Sequence, residues 1–102
     1  MLELRPICEH CAKALPPASL EAMICSFECT FCRTFVDEVL GNVCPRCGGG
    51  FCPRPVRPAT DWNRGLSTTQ YPPGDQPLHR PVDAERHRVF SRLLKGVAPQ
   101  ER

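Results

Sequence analysis

Cys25-Ser26-Phe27-Glu28-Cys29-Thr30-Phe31-Cys32-Arg33-Thr34-Phe35 and, a little further on, Cys44-Pro45-Arg46-Cys47-Gly48-Gly49 decide what kind of fold this chain can adopt. Two cysteines separated by two residues sit on one tight turn. Both sulfurs then converge on a single ion, with Zn–S bonds of about 2.3 Å in tetrahedral geometry. Proline after Cys44 stiffens that turn, and glycine after Cys47 admits the positive φ that aims backbone N–H groups at sulfur. Such N–H···S bonds offset thiolate charge. Working outward, the metal-ligand candidates are Cys8, Cys11, Cys25, Cys29, Cys32, Cys44, Cys47 and Cys52, all eight cysteines of the 102-residue chain.

Cysteine density of this kind arises from disulfides in secreted proteins or from metal in intracellular ones. Met1-Leu2-Glu3-Leu4-Arg5-Pro6 leads into Cys8 without an apolar signal core. No stretch approaches the roughly 18 apolar residues of a membrane span. The expectation is a cytoplasmic protein that does not engage membranes, with its cysteines reduced and bound to zinc. A segment as short as residues 1–52 buries too little apolar surface to stand alone, so metal binding supplies folding free energy.

Three segments follow: a cysteine-rich zinc-binding module over 1–52, a proline-rich extended strap over 53–82, and a C-terminal amphipathic helix with its tail over 83–102. The strap holds seven prolines, Pro53, Pro55, Pro58, Pro72, Pro73, Pro77 and Pro81, which disfavour regular structure. Within the module the i,i+4 pairs Phe35/Val39 and Val36/Leu40 predict a helix over 33–40 that stops at Gly41. Short strands are expected at Met23-Ile24 and around Val43. In the last segment Asp83 is the expected N-cap and Gly96 the stop, with Val89, Phe90, Leu93 and Leu94 on one face and Arg88, Arg92 and Lys95 on another.

The net charge of +2 divides unevenly, −2 over residues 1–52 and +4 over residues 53–102. Zinc-bound thiolates make the first half more acidic still, the reverse of a zinc module that reads nucleic acid. Nucleic-acid association would therefore fall to the basic second half.

The order of the cysteines resembles a RING finger. That resemblance implies a cross-brace, in which Cys25, Cys29, Cys44 and Cys47 share one zinc while Cys8, Cys11, Cys32 and the position of Phe35 share the other. Phenylalanine cannot bind zinc. Cys52, His10 and Asp37 are candidates to complete the set, with Cys52 preferred as the thiolate. A sequential zinc ribbon is the alternative, with Cys29, Cys32, Cys44 and Cys47 on one ion and Cys8, Cys11, Cys25 and Cys52 on the other. Leu4-Arg5-Pro6, Cys8-Glu9-x-Cys11, Leu15-Pro16-Pro17, the run from Glu21 to Cys32, Cys44-Pro45-x-Cys47-Gly48-Gly49 and Pro53-Arg54-Pro55-x-Arg57-Pro58 are similar to a small bacterial family, domain of unknown function 1272. The resemblance covers about residues 3–58. It implies a RING-like or treble-clef zinc module of small α+β class, a cysteine where Phe35 stands, and no activity.

No catalytic zinc pattern is present, since His10, His79 and His87 are isolated and no His-x-Glu occurs. They are expected to be surface or capping histidines. Ubiquitin-ligase activity calls for an aliphatic residue just after the first ligand, where this chain has Glu9. The expected role is therefore non-enzymatic, an adaptor that binds another protein. A nucleic-acid-associated protein or a thiol/zinc redox sensor built on Cys52 is the alternative. The strap's Pro53–Pro58 run is open to two roles, docking on an acidic partner or lying over the module itself.

Overall fold

The computed structural model describes residues 1–102. Three short strands, β1 (Ala22–Ile24), β2 (Thr30–Cys32) and β3 (Cys52–Pro53), form a sheet in the order β2-β1-β3. Both pairings are antiparallel, with Met23 opposite Phe31 and Pro53, and Ile24 opposite Thr30 and Cys52. Pro53 has no N–H to donate, so β3 can stand only at an edge. The β1–β2 hairpin turns through Cys25 to Cys29, where Glu28 takes φ 65° and its N–H donates to the Cys25 carbonyl at 3.0 Å.

Helix α1 (Arg33–Phe35) continues as a π-helical turn, Val36–Leu40, and ends at Gly41 in the left-handed region at φ 60°. The expected helix and its glycine stop are both present. The wider π turn still buries Phe35, Val36 and Leu40, while Val39 faces outward. The strand expected around Val43 is absent. Gly41 and Asn42 both take positive φ and fold the chain so that the Val43 N–H returns to the Leu40 carbonyl at 3.2 Å. Val43 is buried in that turn instead.

The core is a layer of side chains under the sheet and α1, with Phe31, Leu15, Leu40 and Val36 fully or almost fully buried beside Cys8 and Cys44. Cysteines thus make up a large part of the interior, as expected of a module too small to fill one with aliphatics alone.

Helix α2 (Ala84–Arg92) is capped by Asp83, whose Oδ1 accepts from the Glu85 and Arg86 N–H groups at 3.0 and 3.2 Å. The helix packs on the module through only part of the expected stripe. His87 and Ser91 are the buried positions, and Phe90 and Leu94 lie against Gly48, whereas Val89 and Leu93 are exposed. The reason is a hydrogen bond that hydropathy does not register. His87 Nε2 meets the Leu40 carbonyl at 3.0 Å, capping the end of the module's own helix and setting the rotation of α2.

The proline-rich stretch runs without regular structure over the module and is pinned to it. Arg54 is buried, and its guanidinium donates to the carbonyls of Arg5, Leu15 and Pro16 at 2.9, 2.9 and 3.1 Å. Arg57 donates to the Tyr71 and Leu2 carbonyls at 2.7 and 2.8 Å. The Pro53–Pro58 run therefore lies over its own module. Trp62 stands out into solvent.

Candidate metal centre

Each ligand turn is built from its sequence. Cys8, Glu9, His10 and Cys11 close a turn in which the Ala12 N–H donates to the Cys8 carbonyl at 3.0 Å, and Ala12 takes φ 62°. A left-handed alanine costs about 1 kcal/mol, which the surrounding turn must offset. The matching place after Cys47 is Gly48, at φ 77° without that cost. Its N–H donates to the Cys44 carbonyl at 2.9 Å, and the next N–H, of Gly49, donates to Cys47 Sγ at 3.3 Å. Phe27 N–H does the same for Cys25 Sγ at 3.3 Å. Of the N–H···S bonds expected from the Gly-Gly pair, the one from Gly49 is in place.

Tertiary structure gathers the sulfurs into two groups. Cys8, Cys11 and Cys32 lie with all sulfurs within 4.8 Å of one another, and so do Cys25, Cys44 and Cys47. Cys29 lies outside that mutual 4.8 Å spacing but next to the second group, its thiol beside those of Cys44 and Cys25. Membership interleaves along the chain, first and third turns together, second and fourth together. The sequential alternative, with Cys29 and Cys32 on one ion, does not match this grouping. Cys32 ends β2 at the N-cap position of α1, while Cys29 precedes Thr30 at the other end of the strand.

The fit to a metal is direct. A tetrahedral ion with bonds of about 2.3 Å sets its ligand sulfurs about 3.8 Å apart, and Cys11 Sγ lies 3.8 Å from Cys32 Sγ. No two cysteines are joined in a disulfide. The thiols are also electrostatically tuned to one another. The hydrogen bond from Cys44 lowers the Cys29 pKa to about 6 and raises that of Cys44. Burial raises Cys25, and burial together with the neighbouring thiols pushes Cys32 up to about 11. Each group thus holds protons that an incoming cation must displace.

Cys52 belongs to neither group. It sits exposed on β3, opposite Ile24, because the sheet register carries it away from the Cys8 turn. His10 and Asp37 also lie outside the groups. The Nδ1 of His10 accepts from the Val82 N–H at 3.0 Å, and its ring lies flat on Phe35 at 4.0 Å and 8°. His79 reaches the His10 carbonyl at 3.0 Å.

Sequence reasoning missed the centrepiece between the two groups. Glu9 is completely buried. Its carboxylate accepts from Arg5 at 3.1 Å, Arg80 at 2.9 Å and the Thr30 N–H at 2.7 Å, and it pairs with Arg46 at 3.0 Å. One side chain thereby ties the Cys8/Cys11 turn to the Cys44/Cys47 turn, to β2 and to the proline-rich stretch. Linear spacing carries no signal for this, since its partners lie up to 71 residues away. The only cue is a carboxylate between two ligands and an arginine between two others. Several basic side chains of the second half are likewise engaged within the chain, Arg54, Arg57, Arg80, Arg88 and Arg102 among them.

No helix is long and apolar enough to cross a membrane. Residues 1–57 match the family described as "Protein of unknown function (DUF1272)". An uncharacterized protein of Rhizobium meliloti (strain 1021) is 58% identical over 60 residues, covering 59% of this chain and 71% of that protein. No solved structure matches. With more than half its length matched to the family and its cysteine turns inside the match, the chain belongs to DUF1272.

Proposed function

We propose that this chain is a structural zinc protein, non-enzymatic, that acts in the cytoplasm as an adaptor for another protein. The observation that carries the metal half is the convergence of two interleaved cysteine groups, each with its sulfurs within 4.8 Å of one another. Interleaving supports a RING-like cross-brace in preference to a ribbon. Zinc would be held by Cys25, Cys29, Cys44 and Cys47 in one site and drawn to Cys8, Cys11 and Cys32 in the other. It would supply cross-links that make a small core stable.

The non-enzymatic reading is supported by the donor chemistry. Both groups are thiols alone, with no histidine or carboxylate placed beside them as a general base, and four thiolates around a zinc would leave no open position for a substrate. Glu9, placed where a ligase would present an aliphatic contact, is locked inside an ion-pair cluster. Support for an adaptor comes from apolar side chains left in solvent, Phe27 on the hairpin turn, Trp62, and Leu93 on the outer side of the C-terminal helix. Internal engagement of Arg54, Arg57 and Arg80 leaves the basic half with fewer side chains for a phosphate backbone.

Native mass spectrometry of the full chain tests the metal. Retained zinc that is lost in Cys47→Ser and kept in Cys52→Ser is the expected result, and a chain that holds no zinc would refute the proposal. For the adaptor, a photo-crosslinking residue at Phe27 should give a discrete protein adduct in cells while one at buried Val43 gives none. Failure of Phe27, Trp62 and Leu93 alike to crosslink any protein would remove that role.

A further inference from the structure

Between the Cys44–Cys47 turn and α2 lies a cavity of about 330 Å³, walled by Pro45 and Arg46 on the turn and by Asp83, Arg86, His87 and Phe90 on the helix and its cap. His87 is its most buried wall, only 3% exposed. Nε2 of that ring lies 3.0 Å from the Leu40 carbonyl. A carbonyl only accepts, so Nε2 carries a proton, and in a neutral imidazole the other nitrogen is then an acceptor. That nitrogen, Nδ1, is buried without a hydrogen-bond partner, and it is the one side-chain atom of the chain left so. Such atoms are rare, because the bond to water is given up and not replaced. The charges around the cavity are unevenly engaged. Arg46 pairs with Glu9 through Nη1 at 3.0 Å, but Glu9 is shared with Arg5 and Arg80. Arg86 is exposed and joins no ion pair of the chain. Asp83 is occupied in capping α2 through Oδ1. Two guanidinium groups against one carboxylate leave the cavity positive.

We propose that this cavity binds a single carboxylate with an amide N–H beside it, the chemistry shared by an N-acylated amino acid and the last residue of a protein chain. Arg46 and Arg86 take the carboxylate, whose planar pair of oxygens suits a guanidinium. The amide N–H, one carbon away, donates to His87 Nδ1. That acceptor makes the site selective, since a cavity built to bond an N–H discriminates strongly against an analogue that lacks one. Asp83 disfavours a ligand of double negative charge such as a phosphate monoester. The volume is at the small end for ligand sites, with room for roughly one or two residues. Nδ1 presents almost no surface of its own, so the ligand meets it by displacing a side chain at the rim. Arg86, exposed and unpaired, is free to swing for that purpose. The inference stands apart from the metal reading. If the ligand is a chain terminus, the cavity is also where the adaptor proposed above holds its partner.

The test uses the full chain as purified, with isotope-labelled histidine, titrated with N-acetylalanine and followed by NMR and calorimetry. The expected result is saturable binding with a Kd of about 1 mM or tighter, in keeping with a ligand of that size, and a moved His87 Nδ1 resonance as the atom gains a donor. N-acetylalanine amide lacks the carboxylate and propionate lacks the N–H, so each should bind at least about tenfold more weakly. Arg86→Gln should weaken N-acetylalanine by about tenfold or more. His87→Gln keeps an amide N–H for the Leu40 carbonyl and removes the Nδ1 acceptor, and should erase the preference for N-acetylalanine over propionate. Acetyl-trialanine distinguishes the two sources: tighter binding than N-acetylalanine assigns the site to a protein terminus, and weaker or equal binding assigns it to a small molecule. Saturable binding of none of these probes would overturn the proposal, as would an amide that binds as well as the acid or an affinity unmoved by Arg86→Gln. Should His87→Gln not fold, the propionate comparison and Arg86→Gln still decide the matter. The zinc count of the preceding section bears on the metal alone, so the two readings fail separately.

Discussion

Replacing Glu9 with alanine removes the one anion that three arginines share. A buried ion pair broken from one side costs about 3–5 kcal/mol, because the remaining charge is left uncompensated. Here the remaining partners differ in how readily they reach water. Side-chain exposures are 18% for Arg5, 33% for Arg46 and 43% for Arg80, so Arg46 and Arg80 can turn outward while Arg5 has less room. The Thr30 N–H also loses its 2.7 Å acceptor. Escape of two guanidinium groups places the cost at the lower end, about 3 kcal/mol. For a domain of this size that lowers Tm by roughly 12–24 °C. Glu9→Gln keeps the acceptor and the volume but not the charge, and should cost about 2 kcal/mol, the strength of a hydrogen bond to a charged group.

The assay is thermal unfolding at fixed free zinc, with the zinc content of each variant determined in parallel so that metal loss is seen separately. Salt adds a second readout. Raising it to about 1 M shortens the screening length to about 3 Å, yet the carboxylate has no exposed surface, so the unaltered protein should show little change from this cluster. A Tm drop below about 4 °C in Glu9→Ala, equivalent to less than about 1 kcal/mol, would refute the argument that this cluster ties the two ligand turns together.

Arg54→Ala leaves three carbonyls of the first turn and the Leu15-Pro16 segment without their donor. It should cost about 3 kcal/mol by denaturant unfolding, with Arg54→Lys recovering part of it. Gly48→Ala puts a Cβ on a residue at φ 77° and 3.1 Å from Leu94 Cδ1. A loss of about 1–2 kcal/mol is expected, together with faster amide exchange over α2, and unchanged exchange there would show that Gly48 does not seat the helix. The thiol pKa values predict a proton count. Cys29, lowered to about 6 by its hydrogen bond from Cys44, is already a thiolate at pH 7.5. Zinc entering the group of Cys25, Cys29, Cys44 and Cys47 should then release fewer than four protons at that pH. Below the Cys29 pKa the thiol is protonated and the release should rise. Calorimetry in buffers of different ionisation enthalpy reads the number, and four protons at pH 7.5 would mean that the metal-free chain lacks the Cys29–Cys44 bond.

Much of the site was legible because its signals are local. Cys-x2-Cys brings two sulfurs onto one turn whatever surrounds it, and Gly48 after Cys47 declares its backbone conformation in advance. The same locality exposed the helix after Cys32 and its stop at Gly41, and Asp83 as the cap of α2. What a turn pairs with is another matter. Whether Cys32 joins Cys8 or Cys44 depends on the β1–β2 register and on which end of β2 each cysteine occupies, and several pairings satisfy one linear pattern. Cys52 shows the limit most clearly. Thiolate chemistry made it the preferred substitute for the ligand absent at Phe35, but pairing with β1 holds it elsewhere. Hydropathy likewise grouped Leu93 with Phe90 and Leu94 on one apolar face of the last helix, yet Leu93 is exposed where the bond from His87 to Leu40 sets the helix's rotation. Composition and spacing by themselves determined that cysteine turns organise the first half, since turn chemistry acts over a few residues. Only the tertiary structure decided how those turns are shared, and that Glu9 joins them, because ion pairs and strand pairings act through space between residues that the chain separates.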